Sequence, residues 1–282
     1  MKKIILLSLL FLFQLSSGQI SEVDLKKMSY DELYNFYFDF KENLNDQKTI
    51  AKYYISKGHK EKNNIEIARG YYLFSLFDRE INKNKSIEYL DSVIKYSNNS
   101  GDFFFPFEAY VEKAKLYTDI HNYEETILNY LKAEDYAKKV NNSDNYYKSK
   151  YLIGIFKSEI LGEIDEAMNL YNQYKKYLKD KNLNDPYYLH YYKRLIFILA
   201  DAHKAKKNID SSSYYNKLGY KISNETKDNY TKSLFILNEG ANQVMNKSFK
   251  IALDSVKKGS YEIIKSKDYG NILATYYYYG KC

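Results

Sequence analysis

The sequence predicts an all-α protein, a right-handed superhelix of stacked helical hairpins. Three observations carry that reading. Helix breakers are scarce: two Pro and eleven Gly in 282 residues, where both residue types disfavour helix interiors. A small residue recurs about every 40 positions in a constant setting. Ahead of each recurrence lies a second apolar stretch with helical phase. The chain is also 45% hydrophobic and holds 34 Tyr but no Trp, so tyrosines at regular spacing are expected to build much of the core.

The first element is a leader over residues 1–18. Lys2 and Lys3 precede the mostly apolar run Ile4 to Phe13, and Ser16 and Gly18 stand at the −3 and −1 positions of a cut before Gln19. This is the pattern of a secretory signal, and the run is short of the ~20 residues that span a bilayer. The expectation is an exported, periplasmic protein cut after Gly18. No Cys lies near the cut, which excludes a lipid anchor there. The only Cys is Cys282, so no intrachain disulfide forms despite the oxidising destination. Losing Lys2 and Lys3 lowers the formal charge from +7 to +5, with Lys spread along the chain, as on a solvated helical surface rather than a nucleic-acid site.

Residues 19–62 are read as an N-terminal helical hairpin, and 63–267 as a repeat array. "HNYEETILNYLKAEDYAKK" from His121 aligns with "GEIDEAMNLYNQYKKYLK" from Gly162, "KNIDSSSYYNKLGYKIS" from Lys207 and "KSFKIALDSVKKGSYEI" from Lys247; "KNKSIEYLDSVIKYS" is a weaker copy. Each holds a short polar turn, then a small residue: Ser86, Thr126, Ala167, Ser212, Ala252, at steps of 40, 41, 45 and 40. The preceding stretches place Tyr110, Ala114 and Tyr117, or Ile196, Ala200 and His203, on one helical face. Each repeat is therefore a first helix, a tight turn and a second helix. Small residues mark where helices cross closely, and Ile127, just after Thr126, is expected to face the core. No hairpin buries its apolar face alone, so neighbours stack. Residues 268–282, with "ATYYYYGKC", are read as the first helix of a truncated further repeat, Gly280 taking the place of Gly240, Ala200 and Ala114. The fourth repeat carries one extra residue near Leu161, which leaves its phase unassigned.

The set Tyr110, Ala114, Tyr117, Tyr123, Thr126, Tyr130 and Ala133 resembles a tetratricopeptide repeat. "IEIARGYYLFSL", "SYYNKLGYKIS" and "LNEGANQVMNKSFKIALDSVKKG" resemble, more narrowly, the exported N-terminal repeat half of Bacteroidetes membrane-anchored AraC-type transcription regulators, over roughly residues 20–282. That resemblance implies a sensing domain, followed in the family by a membrane helix and a DNA-binding domain, neither of which is in this chain. A free-standing exported scaffold that assembles an envelope complex is the alternative. The resemblance also implies a concave face lined by first helices, which holds a protein or extended peptide. Its residues would be Glu108, Val111, Lys115 and Thr118 in the third repeat, Arg194, Phe197, Asp201 and Lys204 in the fifth, and Leu234, Leu237, Ala241 and Val244 in the sixth. Nucleic acid is not expected as a partner of this chain, and membrane only through a C-terminal segment.

No catalytic residue, metal or cofactor is expected. "SVKK" at 255–258 and "SDN" at 143–145 mimic a penicillin-binding signature, but in reversed order and without K-T-G. The four His, at 59, 121, 190 and 203, show no ligand spacing; His203 is read as a packed, hydrogen-bonded side chain. Glu239 stands at a slot that Leu199 fills one repeat earlier. Either it is partly buried and needs donors, or a small rotation puts it in solvent; the second reading is preferred because unpaired buried Glu is rare.

Overall fold

The computed structural model describes residues 25–39, 43–98, 102 and 104–282. The leader and its cut after Gly18 lie outside them. All regular structure among the described residues is helical. The N-terminal hairpin consists of α1 (Tyr30–Asp39) and α2 (Leu44–Glu61), and the chain continues through α3 (Asn64–Asp78), α4 (Lys83–Ser97), α5 (Phe105–Asp119) and α6 (Tyr123–Lys139). Then come α7 (Ser143–Phe156), a π-helical turn (Lys157–Leu161), α8 (Ile164–Lys179), α9 (Pro186–Ala205), α10 (Ile209–Glu225), α11 (Asn229–Met245), α12 (Phe249–Lys265) and α13 (Tyr269–Lys281). The chain divides into two compact bodies between Tyr146 and Tyr147.

Each body is a stack of antiparallel hairpins. In the C-terminal body α9 packs on α10, α10 on α11 and α11 on α12, while α11 also touches α9 and α13. In the N-terminal body α5 packs on α4 and α6 and touches α3. This is the all-α solenoid pattern in which neighbours supply each other's core. Tyr54, Tyr151 and Tyr171 are among the largest fully buried side chains, so tyrosine does serve as core.

Crossing points carry the small residues that the repeat demanded. Ser86, Thr126, Ala167, Ser212 and Ala252 are all buried, as are Ala114, Ala200 and Gly240. Gly259 shows how close the backbones come in the C-terminal body. A Cβ there would stand 2.9 Å from the carbonyl oxygen of Ser233 and 3.0 Å from the backbone nitrogen of Leu237, so α12 lies directly on the backbone of α11. Ile127 departs from expectation. It is half-buried, whereas Thr126, Asn129, Tyr130 and Ala133 are among the buried residues of α6; the inward stripe starts one position earlier.

The turns share one design. Lys62, His121, Asn141, Lys207, Lys227, Lys247 and Lys267 all adopt left-handed backbone geometry. In most of them the next residue caps the following helix: side chains of Asn63, Asn122, Asn208, Asp228 and Asp268 accept from backbone amides one turn on. Its own amide can close the previous helix, as Asn122 does to Tyr117 O at 2.8 Å and Asp228 to Ser223 O at 2.9 Å. This is a helix-closing motif fused to an N-cap. It reverses the chain in two residues and fixes the hairpin angle.

The extra residue near Leu161 has a physical home in the π-helical turn. One inserted residue widens a helix locally to the wider i→i+5 turn. Gly162 closes the turn at φ +71°, and the amide of Glu163 reaches back to Lys157 O at 2.9 Å. The Lys157 ammonium holds Glu163 and Glu166, each at 2.6 Å.

Candidate functional site

The residues expected to line a binding face divide between the bodies, and each set stands by itself. In the N-terminal body, Glu108, Lys115 and Thr118 on α5 are half-buried. Lys115 pairs with Glu112 at 2.6 Å, and Glu112 also pairs with Arg79 at 2.6 Å. Thr118 donates to Ala114 O at 2.9 Å and lies 3.2 Å from the Thr126 hydroxyl, so it ties the hairpin together. Val111 is 1% exposed. It belongs to the packing, not to a surface, because the flank of a first helix is covered when first helices stack.

In the C-terminal body the α9 set is the accessible one. Arg194 is exposed, and Phe197, Asp201 and Lys204 are half-buried. Spaced at i, i+3, i+7 and i+10, they form one stripe. The Phe197 ring meets the buried Phe235 ring edge-on, with centroids 5.6 Å apart, which holds its position. Lys204 pairs with Asp201 at 2.6 Å and also donates to Asn238 on α11. Of the α11 set, Leu234 and Val244 are half-buried, but Leu237 is 4% exposed and Ala241 is 0% exposed. Leu237 forms a core cluster with Val256 and Ile263, against which Tyr230 and Leu234 of α11 and Ile272, Ala274, Tyr278 and Tyr279 of α13 pack. The next first helix thus covers the slot that was expected to be open. Leu237 and Ala241 are core residues, and the accessible α11 contribution reduces to Leu234 and Val244.

The π-helical turn adds a residue that the unassigned phase of the fourth repeat had hidden. Glu159 itself is exposed, but crowding of its carboxyl by the surrounding chain raises it above its ordinary range, repulsion from Asp201 adds to the rise, and Arg194 opposes it. Arg194 also acts on Tyr151, whose phenol burial pushes up to about 12. The Tyr151 hydroxyl is buried and has no hydrogen-bond partner among the described residues. Glu159, Arg194, Phe197, Asp201 and Lys204 therefore form a mixed ionic and aromatic surface. Among the described residues no three His, Cys, Asp or Glu side chains gather as metal ligands, and no helix is long and apolar enough to cross a membrane.

Glu239 is not turned to solvent. It is half-buried, and its carboxylate accepts from Ser213 Oγ at 3.0 Å, Asn216 Nδ2 at 3.0 Å and Asn242 Nδ2 at 3.2 Å. Asn238 donates to Asn216 at 3.1 Å, and Ser212 and Asn242 bond each other. The donors that a half-buried carboxylate requires come largely from α10, where Ser212, Ser213 and Asn216 lie within one turn. That signal is legible in "DSSSYYN" once the hairpin register is known. His203 is packed as expected, but by stacking on Tyr215 at 5.5 Å, with no hydrogen bond to its ring among the described residues.

The fold matches several solved structures. BtubC (BKLC) from P. vanneervenii superposes with a TM-score of 0.67 at 12% identity, over 80% of this chain and 93% of that one. The fold is a tetratricopeptide-like helical repeat. Aspartyl phosphate phosphatase F from Bacillus subtilis gives 0.61 at 16% identity, over 92% of this chain and 72% of that one. A Rap protein solved in complex with Competence and Sporulation Factor gives 0.58 at 15% identity, over 91% and 75%. At such identities the likeness establishes the fold alone. No protein-family model matches the chain, and no curated protein matches it in sequence.

Proposed function

We propose that this chain is a non-catalytic, exported module that binds a protein or an extended peptide, and that it is the periplasmic sensing part of a membrane-anchored AraC-type regulator. The observation that carries the binding reading is the α9 stripe: an exposed Arg, a half-buried and pinned Phe, and a half-buried Asp–Lys pair on one helix face. Arg and aromatic side chains dominate interface energies, typically at about 2 kcal/mol or more each, and an Arg fork suits a partner carboxylate. Leu234 and Val244 supply apolar ground on the neighbouring first helix. Helical-repeat proteins use such first-helix surfaces for extended partners, and one solved structure of similar fold is a complex with a named factor. The phosphatase among the structures of similar fold shares 16% identity, which transfers no activity. The regulator assignment rests on the sequence resemblance.

The test is the combined change Arg194→Ala, Phe197→Ala and Leu234→Ala. None of the three is fully buried, so helicity by circular dichroism should hold. Affinity for the partner recovered by periplasmic crosslinking should fall at least about 30-fold, the loss expected from one central anchor. A folded triple variant that binds unchanged refutes the α9 surface.

A further inference from the structure

The C-terminal body contains a second concavity that the α9 stripe does not use. It is a pocket of about 240 Å³ between α10, α11 and α12, lined in part by Lys217, Tyr220, Phe235, Ile236, Glu239 and Lys258. Its size is below the ~300–1,000 Å³ of drug-sized ligand sites, so it suits a single amino-acid-sized molecule. Phe235, Ile236 and Tyr220 make its walls apolar. Its charged groups are arranged unevenly. Glu239 is held in place by three neutral donors, one on Oε1 and two on Oε2. A carboxylate accepts about four hydrogen bonds, so Oε1 retains capacity. No ion pair reaches Glu239 among the described residues, although a half-buried carboxylate is better stabilised by a cation. Lys217 and Lys258 are exposed and likewise make no ion pair among the described residues. The pocket thus offers one fixed anion, two ammonium groups and an aromatic wall.

We infer that this pocket binds a free α-amino acid with an apolar or aromatic side chain. The ligand's ammonium bonds Glu239, its carboxylate meets Lys217 and Lys258, and its side chain lies against Tyr220, Phe235 and Ile236. Each charge of the zwitterion finds the opposite charge, and the apolar part finds apolar wall. A lone cation would face two lysines, and a lone carboxylate would face Glu239, so neither half alone matches the pocket. The inference does not require partner binding at the α9 stripe, because it uses none of the exposed side chains there, although Phe235 serves both as pocket wall and as the ring that holds Phe197.

Calorimetric titration of the full chain with L-phenylalanine and L-leucine tests it. At least one should bind saturably. L-phenylalaninamide, which lacks the carboxylate and imitates a peptide amino terminus, and N-acetyl-L-phenylalanine, which lacks the ammonium, should each bind at least about tenfold more weakly, the loss of one charge-assisted contact. Lys217→Ala combined with Lys258→Ala alters only exposed side chains, so it should weaken binding by a similar factor at an unchanged melting midpoint. Glu239→Gln should also weaken binding, and the lysine variant keeps the test valid if that substitution disturbs the Asn–Ser network. Absence of saturable binding by both amino acids overturns the inference. So does equal binding of the blocked analogues, or binding unaffected by the double lysine variant.

Discussion

Single residues set the hairpin geometry. Lys227 holds a left-handed backbone at φ 55°, a conformation that costs a non-glycine residue ~1–2 kcal/mol. Lys227→Gly removes that cost, and the greater freedom of glycine in the unfolded chain takes part of it back. The expected outcome is a gain of about 0.5 kcal/mol, read as a higher denaturant midpoint. Gly259→Ala acts in the opposite direction. Its methyl would meet backbone atoms of Ser233 and Leu237 at 2.9 and 3.0 Å, and backbone cannot turn aside, so a loss of about 1–3 kcal/mol is expected. At His203, burial first, then Lys206 and Lys175, hold the imidazole pKa below its ordinary value. The unfolded state therefore binds more protons than the folded state, and stability falls as pH drops from above about 6.5 towards the lower folded value. His203→Gln should flatten that part of the curve, and an NMR titration of His203 should place its midpoint below about 6.5. The Lys–Asp and Lys–Asn pairs of these turns stand openly in the sequence. They read only as polar turns because Gly, not Lys, is the usual signal for left-handed geometry.

At the scale of elements, hairpin register was legible and outer helical phase was not. The recurrence of Ser86, Thr126, Ser212 and Ala252 located each crossing, because only small side chains fit there. The concave face implied by the family resemblance misplaced Val111, Leu237 and Ala241, which are buried. A first helix is covered on two flanks by its neighbours as well as by its own partner, and a single helix's pattern does not reveal how far those neighbours reach. Glu239 was misread for a related reason, since most of its donors come from α10. The extra residue near Leu161 was visible, but whether it forms a loop or a π turn depends on Gly162 and the Lys157 ion pairs. This ordering of burial is measurable. Leu237→Ala should cost about 2–5 kcal/mol as a core deletion. Ile127→Ala, at a half-buried position, should cost less. Equal shifts in denaturation midpoint would contradict the phase of both helices.

For the whole molecule, the expected signature follows from neighbour-only packing. Far-UV circular dichroism should be dominated by helix, and unfolding should be broad, because repeats exchange stability chiefly with adjacent repeats. Amide exchange should report more than one opening unit rather than a single global step. At this scale, partner binding is proposed for the α9 surface. The most direct measurement is site-specific photocrosslinking in living cells, with benzoylphenylalanine placed singly at Arg194 and Phe197 on α9 and at the exposed Tyr214 and Lys221 on α10. One discrete adduct is expected from positions 194 and 197 and none from 214 and 221. Adducts confined to 214 and 221, or no adduct from 194 and 197 in a folded protein, would contradict partner binding at α9.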